Sequence, residues 1–175
     1  MGRDKADLVV AGERLADRAA GVLGAVCDPV LEVGPGRSPL DAVADVEPSA
    51  GPLAALVTGA RALRSRAYEG AVLLLGVDLP FVTVPLLDLI AAHPAVETVV
   101  PMFEGMRQSC CARYAPPALE RANDLVGRGE RAIHSLLATV PVVEITEAEW
   151  VAVAPADALV DLDTPEDLAR AEEAE

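Results

Sequence analysis

The chain has 175 residues, 52% of them hydrophobic, with a mean hydropathy of +0.33 and a formal net charge of −14. That length suits one domain with a substantial core, and aromatic content of only 3% means the core is built from Ala, Val and Leu, which disfavours an all-β sandwich. The acidic balance argues against a nucleic-acid groove or an anionic membrane surface, since both require a basic face. No apolar run approaches the length of a membrane span, the first residues do not form a signal peptide, and Cys27, Cys110 and Cys111 lack ligand-like spacing, so the expectation is a cytoplasmic protein with reduced thiols.

In chain order, residues 1–6 form a charged segment that reads as the end of a longer motif. Over residues 12–23, Leu15, Ala16, Ala19, Ala20 and Leu23 recur at helical spacing between Glu13, Arg14, Asp17 and Arg18, which predicts an amphipathic helix. Val30, Leu31 and Val33 predict a short strand ending in the loop Gly34-Pro35-Gly36, and Ala42, Val43 and Val46 predict another, with Asp45 near its end. A helix follows from Pro52, carrying Leu53, Leu56, Val57, Ala60 and Leu63 towards the basic end Arg61, Arg64 and Arg66.

The run AVLLLGVDLPF at 71–81 is the organising stretch. Ala71, Val72, Leu73, Leu74 and Leu75 predict a strand buried on both faces, stopped by Gly76, Asp78 and Pro80. In an open α/β sheet ligands gather at the carboxyl ends of strands, so Asp78 is a candidate for a ligand or metal site, although the local pattern alone favours a turn or helix cap. A helix over 84–92 follows, then a strand at 97–102 whose Pro101 predicts an early end or an edge position. Glu104-Gly105 predicts a hairpin turn leading to a strand at 108–114, closed by Pro116-Pro117. Helices at 118–126 and 132–138, a strand at 140–145, an ambiguous stretch at 147–153 and a final helix after Thr164-Pro165 complete the pattern. Alternation of strands and helices predicts an α/β fold: a Rossmann-like, doubly wound, mostly parallel sheet with helices on both faces and a small antiparallel hairpin.

Five segments taken in order, Met1-Gly2-Arg3-Asp4-Lys5, Gly51-Pro52-Leu53-Ala54, Val77-Asp78-Leu79-Pro80, Gly129-Glu130-Arg131 and Asp161 to Leu168, together with Arg107-Gln108, resemble the motifs of the molybdenum cofactor guanylyltransferases, nucleotidyltransferases of Rossmann-like fold. The resemblance spans nearly the whole chain. It implies transfer of GMP from GTP to molybdopterin already carrying molybdenum, with release of pyrophosphate and Mg²⁺ as cofactor. GTP and the molybdopterin cofactor are then the substrates, and a molybdoenzyme or chaperone accepts the product. By the same carry-over Lys5 and Arg3 meet the nucleotide phosphates, Asp78 binds Mg²⁺, Asp45 lies near the guanosine, Gly34 and Gly51 line the cleft, and Asp163 is a metal or capping residue. Lys5 and Asp78 would be the catalytic pair. Bare sequence also reads Lys5 as a solvated lysine and both glycines as turn residues.

Asp161 and Asp163 stand where the family usually has asparagines, and the family's first strand and its LAGGxSxR loop would precede Met1. The expectation is a single nucleotidyltransferase-like domain that is N-terminally shortened, with a natural protein longer by about 15 to 20 residues. A related cytidylyltransferase of the same cofactor, a guanylyltransferase of a small phospho-acid, and a non-catalytic nucleotide-binding or interaction protein are the alternatives. His93 and His134 fall away from these motifs.

Overall fold

A computed structural model describes residues 5–44 and 51–162. It opens with a 3₁₀ turn, Lys5–Asp7, and a short antiparallel hairpin of β1 (Val9–Val10) and β2 (Glu13–Arg14) that turns at Ala11 and Gly12, both with positive φ. Helix α1 (Leu15–Gly24) therefore starts three residues later than the apolar period suggests, because Glu13 and Arg14 are spent on the hairpin. Strands β3 (Leu31–Val33) and β4 (Asp41–Val43) pair in parallel. The predicted continuation of β4 to Val46 lies partly outside the described residues.

Helix α2 (Pro52–Ser65) begins on its proline, whose fixed φ and absent N–H suit the first turn. It packs closely on β3: a Cβ added at Gly59 would stand 3.2 Å from Val33 Cγ2. Next come β5 (Val72–Leu75), α3 (Val84–Ala91), β6 (Thr98–Phe103), β7 (Met106–Arg107) and β8 (Cys111–Tyr114). The chain then forms α4 (Pro116–Gly127), α5 (Ile133–Leu137), β9 (Val142–Ile145) and α6 (Glu147–Trp150). The main sheet runs β5, β8, β6, β9, with β7 extending it along the distal part of β6. Strand β8 is antiparallel to both β5 and β6, while β9 is parallel to β6, so β5, β6 and β9 point the same way and β8 alone among these four opposes them.

Alternation along β5 separates two cores. Val72 and Leu74 join Leu53, Leu56 and Val57 of α2, Ala118 and Leu119 of α4 and Leu136 of α5. Leu73 and Leu75 join Val22 and Leu23 of α1, Leu86 and Ile90 of α3 and Trp150 of α6. Helices thus cover both faces, as the alternating pattern predicts.

Two expectations drawn from prolines change. Pro101 does not mark an edge: β6 pairs on both sides, Pro101 sits in register with Ile145, and its carbonyl accepts Gln108 N–H at 2.9 Å. The ladder to β8 lies at Val99 and Arg113, before the proline, so the missing N–H interrupts no bond on that side. Pro116 and Pro117 end the strand but also open α4, two residues before the apolar period begins. The ambiguous stretch at 147–153 resolves through a reciprocal capping box between Thr146 and Glu149 that starts α6 and delivers a fully buried Trp150. Its indole N–H donates to the Met102 carbonyl at 2.7 Å and its ring meets Phe103 edge-on.

Candidate active site at the end of strand β5

The turn after β5 is shaped by glycine and aspartate together. Gly76 N–H donates to the Cys110 carbonyl at 2.6 Å, which holds the turn against the start of β8. The Asp78 side chain folds back over Gly76 so closely that an added Cβ there would lie 2.5 Å from Asp78 Oδ1. Only glycine leaves that space. Leu79 and Val82 then enter the core beneath α3 and anchor the turn.

Lys5 comes to this turn from the other end of the chain, its Nζ 3.7 Å from Asp78 Oδ2, with about a third of each side chain exposed. A small apolar cluster holds the two segments together: Val10 and Leu15 are buried with Leu162, against Leu8, Val77 and Phe81. Leu162 contributes further, its N–H donating to the Asp78 carbonyl at 2.9 Å. Three segments far apart in sequence, around Lys5, Asp78 and Asp161, thereby meet at one place. Asp161 itself is exposed.

The 3₁₀ turn also reaches the loop after β3, where Arg37 stands 3.8 Å from Asp7. That loop is built around Glu32. Its carboxylate accepts the backbone N–H groups of Gly36, Arg37 and Ser38 at 2.7–2.8 Å and the Ser38 hydroxyl at 2.7 Å. Burial opposes its charge, but these four donors prevail and hold the carboxyl below its ordinary range. Gly34 lies on the loop with φ +152°. Neither Glu32 nor its nest was singled out from sequence, although an acid followed four to six residues later by Gly36, Arg37 and Ser38 is a readable signal for a carboxylate-held turn.

Gly51 caps α2 with φ +88°, and a Cβ there would meet the Arg131 carbonyl at 3.1 Å, so the segment at 51–54 abuts the one at 129–131. Glu130 in turn accepts the N–H groups of Arg131 and Ala132 and steadies the entry to α5. Ala6, Gly34, Pro52 and Gly76 share the wall of one cavity of about 700 Å³, which ties Gly34 and the segment beginning at Gly51 to the neighbourhood of Lys5 and Asp78. Arg3, Asp45 and Asp163 lie outside the described residues. Among the described residues no group of three His, Cys, Asp or Glu side chains converges as a metal cage. Cys110, beside the turn, has its thiol pushed up first by burial and then by the charge of Asp78, and Cys111 behind it is pushed up to about 12 by burial, so both are inert as nucleophiles at neutral pH.

What this arrangement offers is an ammonium and a carboxylate, partly exposed, at the carboxyl end of a strand and beside two glycine-bearing loops. Such a set suits a phosphate-rich ligand with a hard cation.

Comparison with known proteins gives a consistent picture. Residues 1–140 match the family description MobA-like NTP transferase domain. A protein of Mycobacterium tuberculosis (strain ATCC 25618 / H37Rv) named "Probable molybdenum cofactor guanylyltransferase" is 35% identical over 161 residues, covering 85% of this chain and 78% of that protein. One of the same name from Chloroflexus aggregans is 28% identical over 181 residues, covering 96% and 85%. Among solved structures, molybdopterin-guanine dinucleotide biosynthesis protein A from Archaeoglobus fulgidus superposes with a TM-score of 0.75 at 21% identity, over 99% of this chain and 91% of the other. The 2-C-methyl-D-erythritol 4-phosphate cytidylyltransferase of Thermus thermophilus gives 0.66 at 21%, over 97% and 92%. These two support the nucleotidyltransferase fold. No helix among the described residues is long and apolar enough to cross a membrane.

Proposed function

The chain belongs to the MobA-like NTP transferase family and is a nucleotidyltransferase, and from that premise we propose that it transfers GMP from GTP to molybdenum-bearing molybdopterin. The observation that carries the site assignment is the approach of Lys5 to Asp78 at the end of β5. In this reading a terminal phosphate oxygen of molybdopterin attacks the α-phosphorus of GTP. A new phosphoanhydride bond forms, the bond from the α-phosphorus to the bridging oxygen breaks, and its electron pair leaves with pyrophosphate.

Lys5 exchanges its contact with Asp78 for the nucleotide phosphates and neutralises charge that builds as pyrophosphate departs. Asp78, with Asp163 as a second candidate, is the residue to hold Mg²⁺, which supplies charge neutralisation on the triphosphate. The donor set fits that ion, because Mg²⁺ usually takes one or two carboxylates and completes its shell with phosphate and water, whereas a site for zinc would need a cage of side chains. Asp78 is partly exposed, as an open site requires. Gly34, Gly51, Asp45 and Arg3 complete the nucleotide side of the proposal. The loop clamped by Glu32 keeps Gly34 in place without contributing charge outward, since its carboxylate is already turned onto its own backbone.

The experiment is a transfer assay with molybdenum-loaded molybdopterin, Mg²⁺ and either GTP or CTP, scoring dinucleotide and pyrophosphate together. Product from GTP and little from CTP is expected. Preference for CTP would replace the guanylyl assignment with a cytidylyl one, and GTP binding without pyrophosphate release would make the chain a nucleotide-binding protein.

A further inference from the structure

Arg107-Gln108 and the strand after them take no part in the transfer step described above, yet they lead straight to the Asp78 turn. On β6 Met102 stands in register with Arg107 and Val99 with Arg113. Only Val100 and Pro101 separate that pair on β6, whereas Gln108 to Ala112 separate their partners, so the chain bulges between β7 and β8. The bulge falls against the end of β5, where Cys111 is in register with Leu75 and the Cys110 carbonyl accepts the Gly76 N–H at 2.6 Å. Bulges take residues out of the ladder and re-aim the chain, often beside active sites.

Each residue of this bulge is fixed by a separate bond. Gln108 N–H donates to the Pro101 carbonyl at 2.9 Å, and Cys111 N–H to the Gln108 carbonyl at 3.0 Å. Ahead of them Arg107 donates to Glu144 Oε1 at 2.8 Å and to the Leu137 carbonyl at 3.2 Å. Ser109 is held from inside the core, its carbonyl accepting the Tyr114 hydroxyl at 2.7 Å. Tyr114 is fully buried in the cluster of Leu53, Leu56 and Ala118. A phenyl ring would fill that space with no polar atom to satisfy, so the hydroxyl is tolerated there through this one acceptor. Burial pushes the phenol up, and it stays a donor at any working pH.

We propose that Tyr114 is a positioning residue of the transfer site: its hydroxyl fixes the bulge at 108–110 and, through the neighbouring Cys110 carbonyl and the Gly76 amide, sets where the Asp78 carboxylate stands. The path is short. Ser109 and Cys110 present adjacent carbonyls, one to Tyr114 and one to Gly76, and Asp78 Oδ1 lies 2.5 Å from the place a Gly76 Cβ would take. The inference rests on the reading of Asp78 as a residue of the transfer site.

Tyr114→Phe tests it against Trp150→Phe, because each removes a buried donor that reaches a backbone carbonyl at 2.7 Å and each keeps an aromatic ring. The 175-residue chain and both variants are compared by amide exchange at Gly76 and by transfer across a Mg²⁺ titration. In Tyr114→Phe the Gly76 amide is expected to exchange at least about tenfold faster, as its acceptor loosens. Half-maximal transfer should need several-fold more Mg²⁺ and the maximal rate should fall roughly tenfold, as a displaced carboxylate entails. Trp150→Phe should change neither by more than about twofold. 4-Aminophenylalanine at position 114, which restores an N–H donor, should bring both readouts back towards the parent, and it serves as the decisive variant if Tyr114→Phe folds poorly. Unchanged Gly76 exchange in Tyr114→Phe would overturn the proposal, as would a Mg²⁺ requirement that moves no more than in Trp150→Phe, or a failure of the amino variant to recover. Asp78→Ala, titrated alongside, separates the two assignments. Loss of transfer there with Tyr114→Phe behaving like Trp150→Phe would refute the role of Tyr114 alone, whereas full transfer by Asp78→Ala would refute the site reading and this role with it.

Discussion

Lys5 Nζ stands 3.7 Å from Asp78 Oδ2, and each side chain keeps about a third of its surface in solvent. A pair that open is worth about 0–1 kcal/mol to folding, so its residues are available to a ligand at little structural cost. Lys5→Ala and Asp78→Ala are therefore each expected to cut transfer by about 10²- to 10³-fold, the range for removing one preorganised electrostatic group. Thermal midpoints should move little. A large loss of stability in either variant, or retained Mg²⁺-dependent transfer, would sink the assignment.

Gly76 gives a sharper probe of geometry than removal of the carboxylate. A methyl group there would sit 2.5 Å from Asp78 Oδ1 and 3.2 Å from Cys110 Cβ. The aspartate is the free end of a flexible side chain and can swing aside, so Gly76→Ala should fold yet carry a displaced carboxylate. Transfer should fall at least about tenfold, since misplacing a group by an ångström is costly. The loss should exceed that of Gly21→Ala, whose added Cβ meets nothing within 4 Å. Equal activity in the two variants would contradict it.

How much of this was legible beforehand depends on the range of the interactions. The run 72–75, the helix periods and the order of the motifs are local or cumulative, and they foretold β5, both helical layers and the meeting of the segments around Lys5, Asp78 and Leu162. Pro101 misled because its effect depends on which neighbour the strand uses at that residue, a matter of register. Arg113 went unnoticed for a similar reason. Its guanidinium donates to the carbonyls of Ala91 and His93 at 2.8 Å and to that of Ala95, closing the end of α3 from a strand some 20 residues away, as sequence spacing alone does not foretell. Half-burial of β5, where burial on both faces was expected, follows from its edge towards β3, which has no ladder partner among the described residues.

Glu32 makes acid stability testable. Its carboxyl is held below the ordinary range, so the ionised form binds its nest more tightly folded than unfolded. The stabilisation is complete above the unfolded-state value of about 4.3 and is lost as pH falls through the lower folded value. Glu32→Gln keeps one acceptor oxygen but places an amide NH₂ against backbone donors. The variant is expected to be less stable than the parent at pH 7 and to approach it at acid pH, by thermal melts across pH 3–7. A gap between the two that widens on acidification would contradict the nest.

Trp150 sets the last test, because it joins a local capping motif to the central strand. It is fully buried against Phe103, and its indole N–H is committed to the Met102 carbonyl. Trp150→Phe keeps an aromatic ring in that core but strips the donor, leaving a carbonyl of β6 short of a partner, which costs about 1–3 kcal/mol. Trp150→Ala adds a cavity and should cost about 3–5 kcal/mol. Denaturant titrations followed by circular dichroism measure both, since the chain's one tryptophan is lost as a fluorescent probe. Neither residue 150 nor Met102 is part of the Lys5 and Asp78 cluster, so transfer by the folded fraction of Trp150→Phe should stay within about twofold of the parent, as expected for substitutions at independent sites. A stability loss with activity intact would assign α6 to the scaffold. Activity falling well beyond the loss of folded protein would instead show that β6 transmits its packing to the end of β5.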